Sequence, residues 1–286
     1  MRKQNLFLLL TAFIWGFDFV AQHVAMDSIG PAFFCLLRFI IAGTILLVVN
    51  IIRKKKDDNK DYIRHGIILG VILFFGSYFQ QYGLITITPG KSGFISSLYI
   101  VFVPLMTYIL NKEEKPTYRL WIAVIVALIG LYLLTYKGSS AIGIGDFITV
   151  LSAFVYSLQI IYIDKYAGTV DIYKLNCVQF YTCAILSFIC MLITKESHSF
   201  LAIKDCLWPL LYVGVIGTCV SYTTQTLGQI DNDPTISSLI MSLESVFAAL
   251  SGFIILHNVF TTKELIGCII IFSAIIYVQL PVKKKK

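Results

Sequence analysis

PAFFCLLRFIIAGTILLVVNII, residues 31–52, is the stretch on which the fold turns. It carries a single charge, Arg38, and as a helix at about 1.5 Å per residue it is long enough to cross a hydrocarbon core of about 30 Å. Comparable apolar runs recur on both sides of it. The whole chain is 57% hydrophobic and only 14% charged, against about 25% charged in a soluble domain. So little charge cannot cover the surface of a water-soluble particle of this length. Transmembrane barrels need short alternating segments, which are absent, so the chain reads as an all-α integral membrane protein.

Ten transmembrane helices follow from the runs: Asn5–Val24, Pro31–Ile52, Ile63–Ile85, Ser92–Leu110, Tyr118–Tyr136, Gly145–Asp164, Ile172–Ile193, Leu207–Gln229, Pro234–Leu256 and Lys263–Leu280. Gly30-Pro31, Pro89-Gly90, Lys115-Pro116 and Asp233-Pro234 mark turns between them. The first run is read as a retained helix, because Asp18, Gln22 and His23 interrupt it and no small-x-small cleavage site follows. With the N-terminus inside, 17 of the 23 basic residues fall on the cytoplasmic side and 5 outside, Arg38 lying within the membrane. That asymmetry places both termini in the cytoplasm of a multi-pass cell (inner) membrane protein. The net charge of +7 then serves topology and contact with anionic membrane lipids, and no nucleic-acid partner is expected.

The chain repeats itself. Thr11-Ala12-Phe13-Ile14-Trp15 matches Ser152-Ala153-Phe154-Val155-Tyr156 at a spacing of 141 residues, which also pairs Asp18 with Gln159, Arg38 with Gln179 and Phe39 with Phe180. Ile95-Ser96-Ser97-Leu98 meets Ile236-Ser237-Ser238-Leu239 at the same spacing, while Ser77-Tyr78 and Gln81 meet Ser221-Tyr222 and Gln225 at 144. Residues 1–136 and 137–286 thus form two repeats of five helices. An odd number of spans inverts the second repeat relative to the first, the architecture of alternating-access carriers with substrate held near the midplane.

The sequence resembles the EamA family of the drug/metabolite transporter superfamily over nearly its whole length. The first half carries the resemblance in Gln81-Tyr82-Gly83-Leu84, Gly90-Lys91-Ser92-Gly93-Phe94-Ile95, and Leu98-Tyr99 through Val103-Pro104-Leu105. The second half carries it in Leu243-Glu244-Ser245-Val246-Phe247-Ala248-Ala249-Leu250 and Gly252. The resemblance implies ten helices and carriage of small metabolites, amino acids among them, across bacterial inner membranes. Two departures are His257-Asn258, where the family's ninth helix commonly ends in Glu, and Ser245, where Pro is common.

Ionisable groups inside the membrane are the first candidates for handling substrate. Asp18 and Arg38 lie at similar depths below the outer surface, near enough for an ion pair that either serves substrate or ties two helices together. Their repeat mates Gln159 and Gln179 form a neutral counterpart. Glu244 is the deepest acid, on a face shared with Ser237, Met241 and Ala248. Tyr78 and Gln81, with Tyr222 and Gln225, offer hydrogen bonds without fixed charge. Trp15, Tyr99 and Tyr156 complete the candidate substrate site, and interhelical hydrogen bonding is the plain alternative for its polar members.

No cofactor or metal is expected. The seven cysteines show no CxxC or Cys/His spacing, and the four histidines fall near span ends. Gly90-Lys91-Ser92 lacks the leading glycine of a phosphate loop. Without a clustered nucleophile and base an enzyme is not expected. Gly66-x-x-x-Gly70, Ala123-x-x-x-Ala127 and Ala248-x-x-x-Gly252 permit close helix approach, within the chain or in a homodimer. The function expected is a secondary-active carrier of a small polar metabolite, an amino acid or related compound. A channel and a non-transporting membrane receptor or regulatory protein are the other classes open to such a chain.

Overall fold

The computed structural model describes residues 3–55, 60–110, 117–135, 143–196, 200–256 and 261–279, and the described residues are helical almost throughout. The first half holds α1 (Lys3–Met26), α2 (Pro31–Arg53), α3 (Asp61–Gly83), α4 (Pro89–Ser96), α5 (Tyr99–Leu110) and α6 (Tyr118–Thr135). The second holds α7 (Ile144–Tyr166), α8 (Ile172–Thr194), the short α9 (Phe200–Asp205) and α10 (Leu207–Leu211), then a π-helical segment (Tyr212–Val220) running into α11 (Ser221–Gln229). It ends with α12 (Pro234–Met241), α13 (Glu244–Leu256) and α14 (Thr262–Gln279). Eight helical stretches are long and apolar enough to cross a membrane, and two shorter apolar helices, Tyr118–Leu133 and Leu265–Tyr277, accompany them. Of the basic residues that orient the chain, Arg2, Lys56, Lys112, Lys115, Lys137 and Lys283 to Lys286 lie outside the described residues, as do His257 and Asn258.

Helix starts follow local chemistry. Pro31, Pro89 and Pro234 each take the first turn, where a missing N–H costs nothing. Thr88 accepts from the Lys91 N–H, Asp233 from Thr235 and Ile236, and Asp171 from Tyr173 and Lys174. Both α2 and α8 end on a lysine in the left-handed region, Lys54 (φ 47°) and Lys195 (φ 53°), residues 141 apart.

Two spans expected to be continuous are broken. The run read as Ser92–Leu110 begins at Pro89 and breaks between α4 and α5, and the run from Pro234 breaks between α12 and α13. A serine stands at each break: Ser97 Oγ lies 2.9 Å from Gly93 O four residues back, and Ser242 donates to Leu239 O. Such serine back-bonding bends helices. The following amides tighten to three-residue spacing, Leu98 N–H to Ile95 O and Leu243 N–H to Ile240 O. Pro104 inside α5 removes a further ladder bond.

Polarity is arranged for lipid. Ile51, Ile52, Ile185, Ile193 and Ile254 point outward and are more than half exposed, whereas Asp18, Arg38, Gln81, Gln159 and Gln179 are buried. α2 runs along α8, α3 packs against α7 and α8, α1 packs against α11 and α13, and α6 packs against α14. The small faces of α3 are spent on one such contact. A Cβ on Gly66 would come within 2.7 Å of Val178 Cβ, and one on Gly70 within 2.5 Å of Thr182 Cβ, so this stripe seats α8 within the chain.

Candidate functional site

At the centre of the bundle, α1 and α2 face α7, α11 and the two helix breaks around a cavity with about 450 Å³ of space free of protein atoms. Trp15, Asp18, Arg38, Tyr99, Tyr156, Gln159, Tyr222, Gln225 and Glu244 all line it. Gln22, Gln80, Ser96, Phe19 and Ile160 also line it, and the sequence reading had not singled these out. Gln22 was within reach of that reading, since it stands one helical turn beyond Asp18 on the same face.

Three expected site residues lie elsewhere. Tyr78 stacks on Phe74, ring centroids 5.8 Å apart, and Gln81 donates to Gln22 O at 3.4 Å; neither is in the lining. Gln179 is fully buried against neighbouring helices and is likewise outside the lining. The displacement on α3 has a physical cause. Thr11 donates to Ser221 O and Ser152 donates to Gly76 O. Those bonds set Gly76 opposite Ser221, a spacing of 145 residues. Nearer the start of the same helices, Gly70 lies against Thr182 and Gly214 against Ile41, a spacing of 144 for the glycines. The extra residue is absorbed by the π segment, whose wider turn takes one residue more. The counterpart of Gln225 is therefore Gln80, and both face the cavity.

The walls are fixed by hydrogen bonds. The Trp15 indole N–H lies 2.9 Å from Ser221 Oγ and 3.2 Å from Gly217 O, and its ring meets Tyr222 edge-on at 5.2 Å. Tyr156 donates to Gln80 Oε1 at 3.3 Å, and Gln80 Nε2 donates to Ser96 Oγ at 2.9 Å. Tyr99 Oη and Ser97 Oγ donate to Glu244 Oε1 at 3.1 and 3.2 Å. Glu244 opens α13, where a carboxylate is favoured by the helix dipole.

Asp18 and Arg38 are not a pair. They share no ion pair and no hydrogen bond, contrary to the expectation from their depths. Gln22 Nε2 donates to Asp18 Oδ2 instead, and Asp18 Oδ1 rests on Gly217 without a partner. The Arg38 guanidinium lies over the Phe39 ring at 4.8 Å, with Nε and Nη1 unpartnered. Gln22 Oε1, Gln159 Nε2 and Gln225 Oε1 are unpartnered too. Buried polar atoms are normally satisfied, and these unpartnered groups are gathered around the cavity. Among the described residues no three His, Cys, Asp or Glu side chains gather as a metal site.

Outside the spans, two clamps hold α2 to α8. Glu196 accepts from the Ala32 and Phe33 N–H groups at one end. At the other, Asp171 binds Arg53 at 3.0 Å and Lys55 at 3.2 Å. Burial lifts the Asp171 carboxyl, but the bonds from Arg53, Lys55 and the Lys174 N–H outweigh it and hold it at about 2.

Apolar helices long enough to cross a membrane thus surround a cavity lined by polar and aromatic side chains. The model of the EamA-like transporter family matches residues 2–136 and again 143–280, and the chain belongs to that family. It is similar to an uncharacterized transporter of Archaeoglobus fulgidus, 31% identical over 97% of this chain and 86% of the relative. It is also similar to the uncharacterized transporter YoaV of Bacillus subtilis, 23% identical over 96% of each chain. A crystal structure shares the fold with a TM-score of 0.80 over 96% of each chain, at 16% identity.

Proposed function

We propose that the protein is a secondary-active carrier that moves a small polar metabolite, an amino acid or related compound, across the cell membrane by alternating access. Its ten membrane helices form two inverted five-helix repeats with both termini in the cytoplasm. The observation that carries this reading is the set of unpartnered polar atoms around the central cavity between the two halves. Arg38 and Gln159 Nε2 ask for an acceptor such as a carboxylate, while Asp18 Oδ1, Gln22 Oε1 and Gln225 Oε1 ask for donors such as an ammonium group. One dipolar molecule meets both demands.

Related contacts on either side support the inverted repeat. α1 packs on α11 as α7 packs on α3, while α2 with α8 and α6 with α14 sit as self-matching pairs. A site at such a repeat interface is reached from each side in turn by rocking one half against the other. Counterflow in proteoliposomes tests the reading, using a substrate found by thermal-shift screening of amino acids, amines, nucleosides and vitamins. A carrier accelerates labelled uptake when unlabelled substrate is preloaded. Uptake indifferent to preloading points to a channel, and no uptake of any stabilising compound points to a receptor.

A further inference from the structure

The first turns of α1 and α7 carry matching contacts that lie away from the cavity. Asn5 in α1 and Asp146 in α7 are 141 residues apart, the spacing that also joins Trp15 to Tyr156. Asn5 Oδ1 accepts from Asn232 Nδ2 at 3.0 Å, and Asn232 stands in the turn between α11 and α12. Asp146 Oδ1 lies 2.7 Å from Lys91 Nζ, an ion pair by distance rather than an aligned hydrogen bond. Lys91 stands in the first turn of α4, just past the turn from α3. Beside each pair a glycine brings two helices together. A Cβ on Gly228, near the end of α11, would lie 2.7 Å from Leu8 Cγ and 2.9 Å from Gln4 O. A Cβ on Gly83, which ends α3, would strike Thr149 Oγ1 and lie 3.2 Å from Gly145 O. Gln4 and Gly145 are again 141 apart, as are Leu8 and Thr149, while Gly83 and Gly228 show the spacing of 145 that the π segment creates.

One contact is thus built twice from different residues, and each copy joins the first half of the chain to the second. The copies stand at opposite ends of the bundle. Asn5 lies in the opening turn of α1, whereas His23, near the other end of α1, lies 3.2 Å from Leu84 O, next to Gly83. Ten residues separate Asn5 from Trp15 and Asp146 from Tyr156, about 15 Å along a helix. Trp15 and Tyr156 both line the cavity, so each copy stands about that far from it, on its own side. Their chemistry differs. Two neutral amides hold one end and a lysine with an aspartate holds the other, with Asn5, Asn232 and Asp146 all buried.

We propose that these contacts are the two closures of the cavity. Asn5–Asn232 with Gly228 shuts the end that the basic residues assign to the cytoplasm, and Lys91–Asp146 with Gly83 shuts the outer end. As parts of a transport cycle they rest on the carrier reading, one parting while the other holds; the present structure has both shut. Ile160→Cys in a cysteine-free background puts a reporter on the cavity wall. Its labelling by a membrane-impermeant maleimide is followed in right-side-out and in inverted vesicles, without substrate. Asp146→Asn keeps an oxygen for the Gly143 N–H, which Asp146 Oδ2 accepts at 2.8 Å, and loses the charge. It should speed labelling from outside by about two- to fivefold, the population change that a partly exposed ion pair commands, and leave labelling from inside no faster. Lys91→Met should do the same, and the two together should be no faster than either alone, because one contact can be lost only once. Asn5→Ala should speed labelling from inside only. Melting curves of the same preparations report whether each fold is kept, and Asn232→Ala reads the inner closure if Asn5→Ala does not fold. Rates unchanged in the folded variants overturn the closures. So does a rise on both faces together, which marks a loosened bundle, and so do multiplied effects in the Lys91→Met, Asp146→Asn pair. Absence of counterflow in a chain whose labelling shifts one face at a time would instead count against the carrier reading.

Discussion

Arg38 is 2% exposed, flanked by Phe34 and Phe39, with two of its nitrogens lacking hydrogen-bond partners. A buried ion without a counter-ion destabilises a fold by several kcal/mol. On the carrier reading proposed above, the acceptor that Arg38 lacks is supplied by substrate. Arg38→Met should therefore leave the substrate-free protein as stable as the wild type or more so, while abolishing counterflow. Thermal unfolding and exchange on one preparation decide it, and a large fall in melting temperature would make Arg38 a structural residue. Gly217 makes the opposite case. A Cβ there would lie 2.0 Å from Asp18 Oδ1, so Gly217→Ala should cost about 1–3 kcal/mol of stability, the usual range for overpacking. Asp18→Ala in the same chain should recover part of that loss, because neighbouring sites are not additive. Simple additivity in the double-mutant cycle would show that the two do not touch.

Among elements, the α2–α8 pair offers a measurement by pH. The Asp171 carboxyl is held at about 2 in the folded protein, below the roughly 3.9 of a free aspartate. A group depressed on folding stabilises the fold above its unfolded value and loses that contribution as pH falls toward the folded one. Asp171→Asn should thus melt earlier than the wild type at neutral pH. The gap should close between about pH 4 and pH 2, and a gap that persists at pH 2 would assign the effect to geometry instead of charge. The elements also show what was legible beforehand. The apolar runs located eight helical stretches long enough to cross a membrane and two shorter apolar helices, because lipid demands length and apolarity and both are written in composition. The breaks at Ser97 and Ser242 were hidden, since serine is common in helices, and Ser187 and Ser273 turn back on the ladder in helices that stay continuous. The π segment was hidden for a related reason. One extra residue in a wide turn leaves hydropathy unchanged, yet it carries every later residue of α11 around the helix. That single shift makes Gln80, not Gln81, the repeat counterpart of Gln225. Asp18, Glu244, Trp15, Tyr99, Tyr156 and Tyr222, which line the cavity, were legible because charge and rings inside lipid need no register to be noticed.

For the whole molecule, the 17-to-5 distribution of basic residues predicts which loops face the cytoplasm. In a cysteine-free background, an impermeant maleimide should label Ser139→Cys from outside and leave Asp58→Cys untouched in intact cells; both positions lie outside the described residues. The reverse pattern would invert the topology. The packing carries a consequence of another kind. α2 lies on α8, α3 on α7, α6 on α14, and α1 on α11 and α13, so the broadest surfaces of each half are buried against the other half. As a ribosome delivers the chain, the helices of the first half are made with the glycine face of α3 and the carboxylate of Asp18 turned toward partners not yet synthesised. Neither half is a product that the cell can finish alone. Two genes cut within residues 136–142 should each yield a polypeptide that the membrane's quality-control proteases remove, whereas both expressed together should reassemble a working carrier from fragments that never shared a peptide bond.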